Sequence, residues 1–293
     1  MNGFGLNLFA VAVGLGLNGN SGLANANAGP RHAAQASNAS AQMKVDSQIE
    51  GGDAGTLFVG EGNGGTPSSF LVDVGSGDSS PAFSGAQLSG AAHDFSQNRV
   101  YFVSGANLSE WAIGGALTPI GPIKDSETGL INLTMNGLAL GNGTLYGCGG
   151  SGTYEAIYSI SLAIPFLPRA SLHIDLPEDE FDCGDLAFNP EDGALYMVNN
   201  DPTPLGRGLY RMNPDGSGTL IVSYPDGLID ISGLAIGSGR AYLVPTAPGN
   251  IYVYDFDSAA YQTPLPSPFT SATMVSSGAT WITPDTIFTG EFE

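Results

Sequence analysis

The sequence predicts an all-β protein built as a ring of four-stranded blades, and three observations predict it. A short motif recurs five times at a nearly fixed period. Each copy is followed by further short strands in the same order. The composition, with 43 Gly and 19 Pro among 293 residues and only 12% charged residues, suits many tight turns and little exposed helix.

The motif reads SGAAHDF from Ser89, NGLALGN from Asn136, GDLAFNP from Gly184, SGLAIGS from Ser232 and SGATWIT from Ser277. Its second residue supplies an anchor in each copy: Gly90, Gly137, Asp185, Gly233 and Gly278, spaced by 47, 48, 48 and 45 residues. Second strands follow as VYFVSG (from Val100), TLYGCGG (Thr144), ALYMVNN (Ala194), AYLVPT (Ala241) and TIFTGEF (Thr286), with one more, TLFVGEG from Thr56, ahead of the first anchor. Third strands include SSFLVDV, AIYSISL, GLYRMNP and NIYVYDF, and fourth strands TLIVSYP and SLHIDLP. Their aromatic and β-branched alternation is what half-buried antiparallel strands need. Turns such as NPEDG and NPDGSG are rich in residues that reverse the chain tightly.

Four strands in about 45 residues, repeated along the chain, is the pattern of a β-propeller. Five first, six second, five third and five fourth strands can be counted. Five blades need twenty strands and six need twenty-four. Six is the favoured count and five the alternative.

These repeats resemble the broad β-propeller superfamily, in particular its TolB-like and NHL-like members. GLYRMNPDGSGTL (Gly208 to Leu220) looks like the strand-turn-strand those repeats use, and the likeness runs from about Gly51 to Glu293. Propellers host enzymes, receptors and inert scaffolds alike, so the resemblance implies a fold and leaves function open.

Ahead of the repeats, residues 1–28 read as a signal peptide and 29–50 as a small, polar linker or arm, leaving 51–293 for the propeller. The apolar run from Phe4 to Leu17 is too short and glycine-rich for a membrane span, and Ala26-Asn27-Ala28 fits a small-x-small cleavage site. No Lys or Arg precedes that run, a departure from the usual pattern. The expectation is a secreted, periplasmic or cell-surface protein whose mature chain has no membrane span.

Charge narrows the partners. Eight Lys and Arg stand against 28 Asp and Glu, a net charge of −20, and Lys44 and Lys124 are the only lysines. Such a surface repels phosphate backbones and anionic lipid heads, so nucleic acid is excluded as a partner class, while a protein or a carbohydrate-like ligand remains open.

Two glycine runs, from Gly60 and from Gly147, match G-x-G-x-x-G but lead into strands rather than helices, so no nucleotide site is expected. Cys148 and Cys183 are the only cysteines. Cys148 ends a second strand and Cys183 precedes the next anchor, so both fall near one face in neighbouring blades. In an exported chain that arithmetic points to a disulfide, the alternative being two buried thiols.

The residues just before the anchors converge on one mouth of the ring, because first strands line a propeller's axis. They include Asn136, Asp182 and Asp230. The set resembles, loosely, the axial Ca²⁺ site of gluconolactonase-like and paraoxonase-like propellers, which implies oxygen ligands for calcium. The alternative is that these groups cap turns by accepting backbone N–H bonds. A second acidic stretch, DLPEDEFDCGD, lacks the spacing of a calcium loop. His93, with Asp94 beside it, is the one histidine that faces the axis, so an enzyme would have to use that pair as its acid and base.

Three readings follow. The leading one is an exported, non-catalytic propeller that binds a partner or ligand at one face. The second is a calcium-dependent hydrolase or lactonase, and the third a structural surface or matrix protein. No cofactor beyond Ca²⁺ is expected.

Overall fold

A computed structural model describes residues 55–62, 68–151, 154–177, 180–225, 227–246, 249–269 and 277–282. The signal-peptide and linker expectations, and the TIFTGEF segment, lie outside the described residues.

Five blades form the ring. Blade one takes Thr56–Glu61, Ser69–Asp73 and Ser79–Phe83, with Ser277–Ile282 from the far end of the chain as its innermost strand. Blade two is Gly90–Asp94, Arg99–Ser104, Asn107–Ala112 and Leu117–Pro122. Blade three is Thr134–Gly141, Thr144–Ser151, Tyr154–Ser161 and Arg169–Asp175, with Lys124–Asp125 running parallel along its outer edge. Blade four is Cys183–Asn189, Ala194–Asn199, Gly208–Met212 and Gly218–Ser223. Blade five is Ile231–Gly237, Arg240–Pro245 and Asn250–Asp255, flanked by the short Ala260–Tyr261 and Leu265–Pro266. Of the two counts the sequence allows, five is realised. The unmatched second strand Thr56–Glu61 completes the blade begun by the last anchor, so the ring closes without a sixth unit.

Burial follows distance from the axis. Ile231–Gly237 is buried at every residue, whereas the outer strand Gly218–Ser223 alternates between half-buried and exposed. Along a second strand the period of two sends neighbours to opposite blade interfaces. Leu57 and Val59 pack with Tyr242 and Ile251 of blade five, while Phe58 between them packs with Trp111 and Val100 of blade two. The same division recurs at each interface, giving five apolar clusters rather than one central core. Each fully buried Leu, Ile or Phe there contributes roughly 1.5–3 kcal/mol.

The anchors explain how tightly the ring draws in. A Cβ added to Gly90 would stand 2.6 Å from the Cα of Gly137, and one added to Gly137 would stand 2.5 Å from the Cα of Asp185. Only glycine lets the inner strands approach this closely. The described residues include no helix long and apolar enough to cross a membrane.

Candidate functional site

At the one anchor that is not glycine, Asp185 puts a carboxylate on the axis. It is fully buried. Its Oδ1 accepts from the amides of Leu138 (3.1 Å) and Leu186 (2.8 Å), and its Oδ2 from Leu234 (2.8 Å) and Ala279 (3.3 Å). Four blades therefore donate to one side chain. Burial pushes this carboxyl well above the ordinary carboxylate range, and the four amides pull it back. Each oxygen faces two N–H donors, so a proton on either would point at a donor; the geometry fits the carboxylate. Asp185 is not among the acids that line the mouth. It plugs the axis below them.

Above the plug, on the side where the inner strands begin, a cavity of about 200 Å³ opens. Asn136, Asp182 and Asp230 all line it, together with Ser89, Asn200, Ser232 and Thr246. Asn136 stands one residue before its anchor, and Asp182 and Asp230 stand three before theirs. Blades three, four and five each carry a β-bulge just before the anchor, at Asn136, Gly184 and Ser232, and all three candidate residues reach the one mouth.

Amide side chains hold this mouth in shape. Asn199, buried, accepts the amide of Asp182 (2.8 Å) and donates to the carbonyl of Gly206 (3.0 Å). Asn200 bridges blades four and five: its Oδ1 accepts the amide of Ile231 (3.0 Å) and its Nδ2 donates to the carbonyl of the same residue (3.1 Å). Asn136 donates to the carbonyl of Cys183 (3.2 Å), and the Ser89 hydroxyl to that of Met135 (3.1 Å). The Ser232 oxygen accepts the amide of Ser277 (2.8 Å) and the Thr246 hydroxyl (3.1 Å). Consecutive blades are thus stitched just above the anchors.

The two acids are free of that duty. Neither the Asp182 nor the Asp230 carboxylate accepts a hydrogen bond from the described residues. Burial pushes the Asp182 carboxyl up, and Asp230 and then Asp201 push it further, while Arg207 opposes them. Cys148 and Cys183 are joined by a disulfide with Cα atoms 6.3 Å apart, tying blade three to the strand that starts just after Asp182. The Cys183 amide donates to Glu155 (2.8 Å). Burial, and Asp182 to a lesser degree, push the Glu155 carboxyl up to about 7, the Cys183 amide pulling the other way.

Among the described residues no three His, Cys, Asp or Glu side chains are grouped as a metal site by themselves. A cation at the mouth would rest on two carboxylates, the Asn136 amide, nearby hydroxyls and water. That is a hard, oxygen-rich donor set of the kind Ca²⁺ takes, and the charge repulsion felt by Asp182 is what a cation would relieve.

His93 and Asp94 stand at the other mouth, beyond the plug. They line a larger cavity of about 470 Å³ with Leu140, Phe188, Ile236 and Trp281. Asp94 caps a single 3-10 turn, accepting from the Ser96 hydroxyl (2.6 Å) and the Gln97 amide (3.3 Å). The His93 backbone amide donates to the Thr280 hydroxyl (3.0 Å). The structure brings Asn136, Asp182 and Asp230 together and does not bring His93 to them. Sequence reasoning missed Glu155, Ser89 and Ser232. A polar residue recurring just before the anchor, as Ser89, Asn136, Ser232 and Ser277, was the available clue to the serines. Nothing local marks Glu155. The second glycine run sits in the strand Thr144–Ser151 and opens no helix.

No protein-family model matches the chain, and no curated protein is similar to it. Solved structures are. A chain in the crystal structure of a nidogen/laminin complex is similar at 13% identity with a TM-score of 0.51, over 78% of this chain and 98% of that one. A structural-genomics protein of unknown function from Bacteroides thetaiotaomicron aligns at 16% identity and a TM-score of 0.45, over 67% of this chain and 52% of that one. A gluconolactonase from Xanthomonas campestris aligns at 15% identity and a TM-score of 0.39, over 61% and 75%. At such identities the likeness speaks for the fold alone: the chain is a β-propeller protein.

Proposed function

We propose that this propeller is a binding module that works through the Asp182–Asp230 mouth, taking Ca²⁺ and, around it, a hydroxyl-rich ligand or a protein carbonyl. One observation carries the reading: two carboxylates that accept no hydrogen bond from the described residues line the same cavity as Asn136, within a ring of amide and hydroxyl bonds. Two carboxylates are few for calcium, so water completes the sphere and affinity falls at the weak end, about 10⁻⁴–10⁻³ M. The disulfide supports work in an oxidising compartment, whether secreted, periplasmic or at the cell surface. Calorimetric titration with Ca²⁺ tests the proposal. Heat of binding that vanishes in Asp182→Ala with Asp230→Ala upholds it; no heat in the unaltered protein, or the same heat in both, overturns it.

A second reading, a calcium-dependent hydrolase, gains from Glu155 rather than from His93. A carboxyl raised to about 7 beside the acidic mouth has the protonation behaviour of a general acid or base. Screening lactones and esters with calcium present separates the two. Turnover lost in Glu155→Gln, with Ca²⁺ binding kept, would replace the first reading by the second.

A further inference from the structure

The mouth opposite the acids is a bowl built from all five blades. Each inner strand gives it the side chain three residues past its anchor: His93, Leu140, Phe188, Ile236 and Trp281. Leu138, Leu186 and Leu234, whose amides hold Asp185, also line it, so the plug is its floor. Two glycines keep it open. A Cβ at Gly141 would overlap the ring of Phe188, and one at Gly237 would overlap the indole of Trp281. Both rings therefore lie against the neighbouring blade instead of filling the axis. The space left, about 470 Å³, falls within the range of small-molecule pockets, about 300–1,000 Å³.

Two polar groups in the wall of this bowl have bonding capacity to spare. Asp94 is more than nine-tenths buried there. Its Oδ1 takes both turn bonds, from the Ser96 hydroxyl and the Gln97 amide, and its Oδ2 accepts none from the described residues. The Thr280 hydroxyl accepts the His93 amide (3.0 Å) and donates to no described residue. An apolar bowl thus keeps one acceptor and one donor, and a small set of polar groups is what orients a ligand in such a site. Charge decides the kind of ligand. Arg99 stands opposite Asp94 on the next strand and is itself paired with Glu110, so the Asp94 carboxylate already has a cation near it. The net charge of −20 disfavours an anion. What fits is neutral, flat and apolar, with a single hydrogen-bonding group.

We propose that this bowl is a second binding site, for small uncharged aromatic molecules that carry one hydroxyl group. The ligand hydroxyl donates to Asp94 Oδ2 and accepts the Thr280 proton, while its ring packs among Leu140, Phe188, Ile236 and Trp281. The site shares no residue with the acid-bearing mouth and needs no calcium, so it stands or falls independently of calcium binding there.

Titration of the full-length protein with β-naphthol, followed by amide NMR without calcium, tests this. Saturable shifts are expected at Asp94, Leu140, Phe188, Ile236 and Trp281, with Asn136, Asp182 and Asp230 unmoved. The methyl ether of β-naphthol lacks the donor and is expected to bind about tenfold more weakly or worse, since a hydrogen bond to a charged group is lost. Asp94→Asn keeps an oxygen for the turn and puts an N–H₂ in place of Oδ2, so naphthol should weaken to the level of its ether. Gly141→Leu forces the Phe188 ring into the bowl and is expected to weaken both ligands by about tenfold or more. The comparison of naphthol with its ether needs no variant and holds the proposal to account if either substitution prevents folding. Shifts that do not saturate at millimolar naphthol, or that centre on any other surface, overturn the proposal. Equal affinities for naphthol and its ether overturn it too, as does unchanged binding in folded Gly141→Leu.

Discussion

The two ends of the ring's axis are built from the same five strands, and one is polar throughout while the other is mostly apolar. Where the strands begin, the lining is Asn136, Asp182, Asn200, Asp230 and hydroxyls; where they finish, Leu140, Phe188, Ile236 and Trp281 join His93 and Asp94. Asp185 and the glycine anchors stand between them. The difference separates two uses of a carboxylate. Asp185 has four donors and no freedom, so it is architecture. Asp182 and Asp230 have cavity in front of them and accept no hydrogen bond from the described residues, so they are available to a ligand.

Substitution of Asp185 should break this comparison most violently. An Asn there offers one acceptor oxygen where two served four amides, and stranding a buried N–H costs about 1–3 kcal/mol each. Asp185→Asn is therefore expected to lose on the order of 2–6 kcal/mol in chemical denaturation. Asp182→Asn, which relieves repulsion at the mouth, should be neutral or slightly stabilising. Similar losses for the two would erase the distinction.

Next in size is the disulfide. Cys148→Ala with Cys183→Ala is expected to cost about 2–4 kcal/mol, measured by the same unfolding curves. Mass analysis of alkylated, non-reduced protein should find neither thiol labelled.

Glu155 sharpens the comparison through pH. Its folded pKa, about 7, lies above the ordinary 4.5. The protonated form is thus favoured by folding, and its contribution is complete below about pH 4.5 and lost as pH rises through 7. Glu155→Gln should flatten that slope, an effect on the order of 2 kcal/mol given partial exposure. A slope that survives the substitution would assign it to other carboxyls. The smallest expected effect is at the far mouth: His93→Ala should leave Ca²⁺ affinity within about twofold, because the plug lies between.

Much of this was legible in the sequence, for identifiable reasons. The five anchors needed glycine or a small polar residue at a fixed phase, and that need repeats audibly every 45 to 48 residues. Asn136, Asp182 and Asp230 could be placed at one mouth because strand direction alone decides it. What stayed hidden depends on contacts between distant residues. The bulges just before the anchors of blades three, four and five have no sequence mark, and neither does the burial that raises Glu155. Asp185 looked like one more acid in an acidic stretch. Only the convergence of amides from Leu138, Leu234 and Ala279 shows that it replaces a glycine to fill the axis. The blade count turned on Thr56–Glu61 meeting Ser277–Ile282, a pairing between the ends of the repeats that no local pattern announces.

The acid-bearing mouth is proposed as the working end, isolated from the other by the plug. Amide NMR spectra recorded during a Ca²⁺ titration test it most directly. The account predicts shifts at Ser89, Asn136, Asp182 to Gly184, Asn200, Asp230 to Ser232 and Thr246, with Leu140, Phe188 and Trp281 unmoved. Shifts centred on the Phe188 and Trp281 mouth, or none at Asp182 and Asp230 at millimolar calcium, would contradict it.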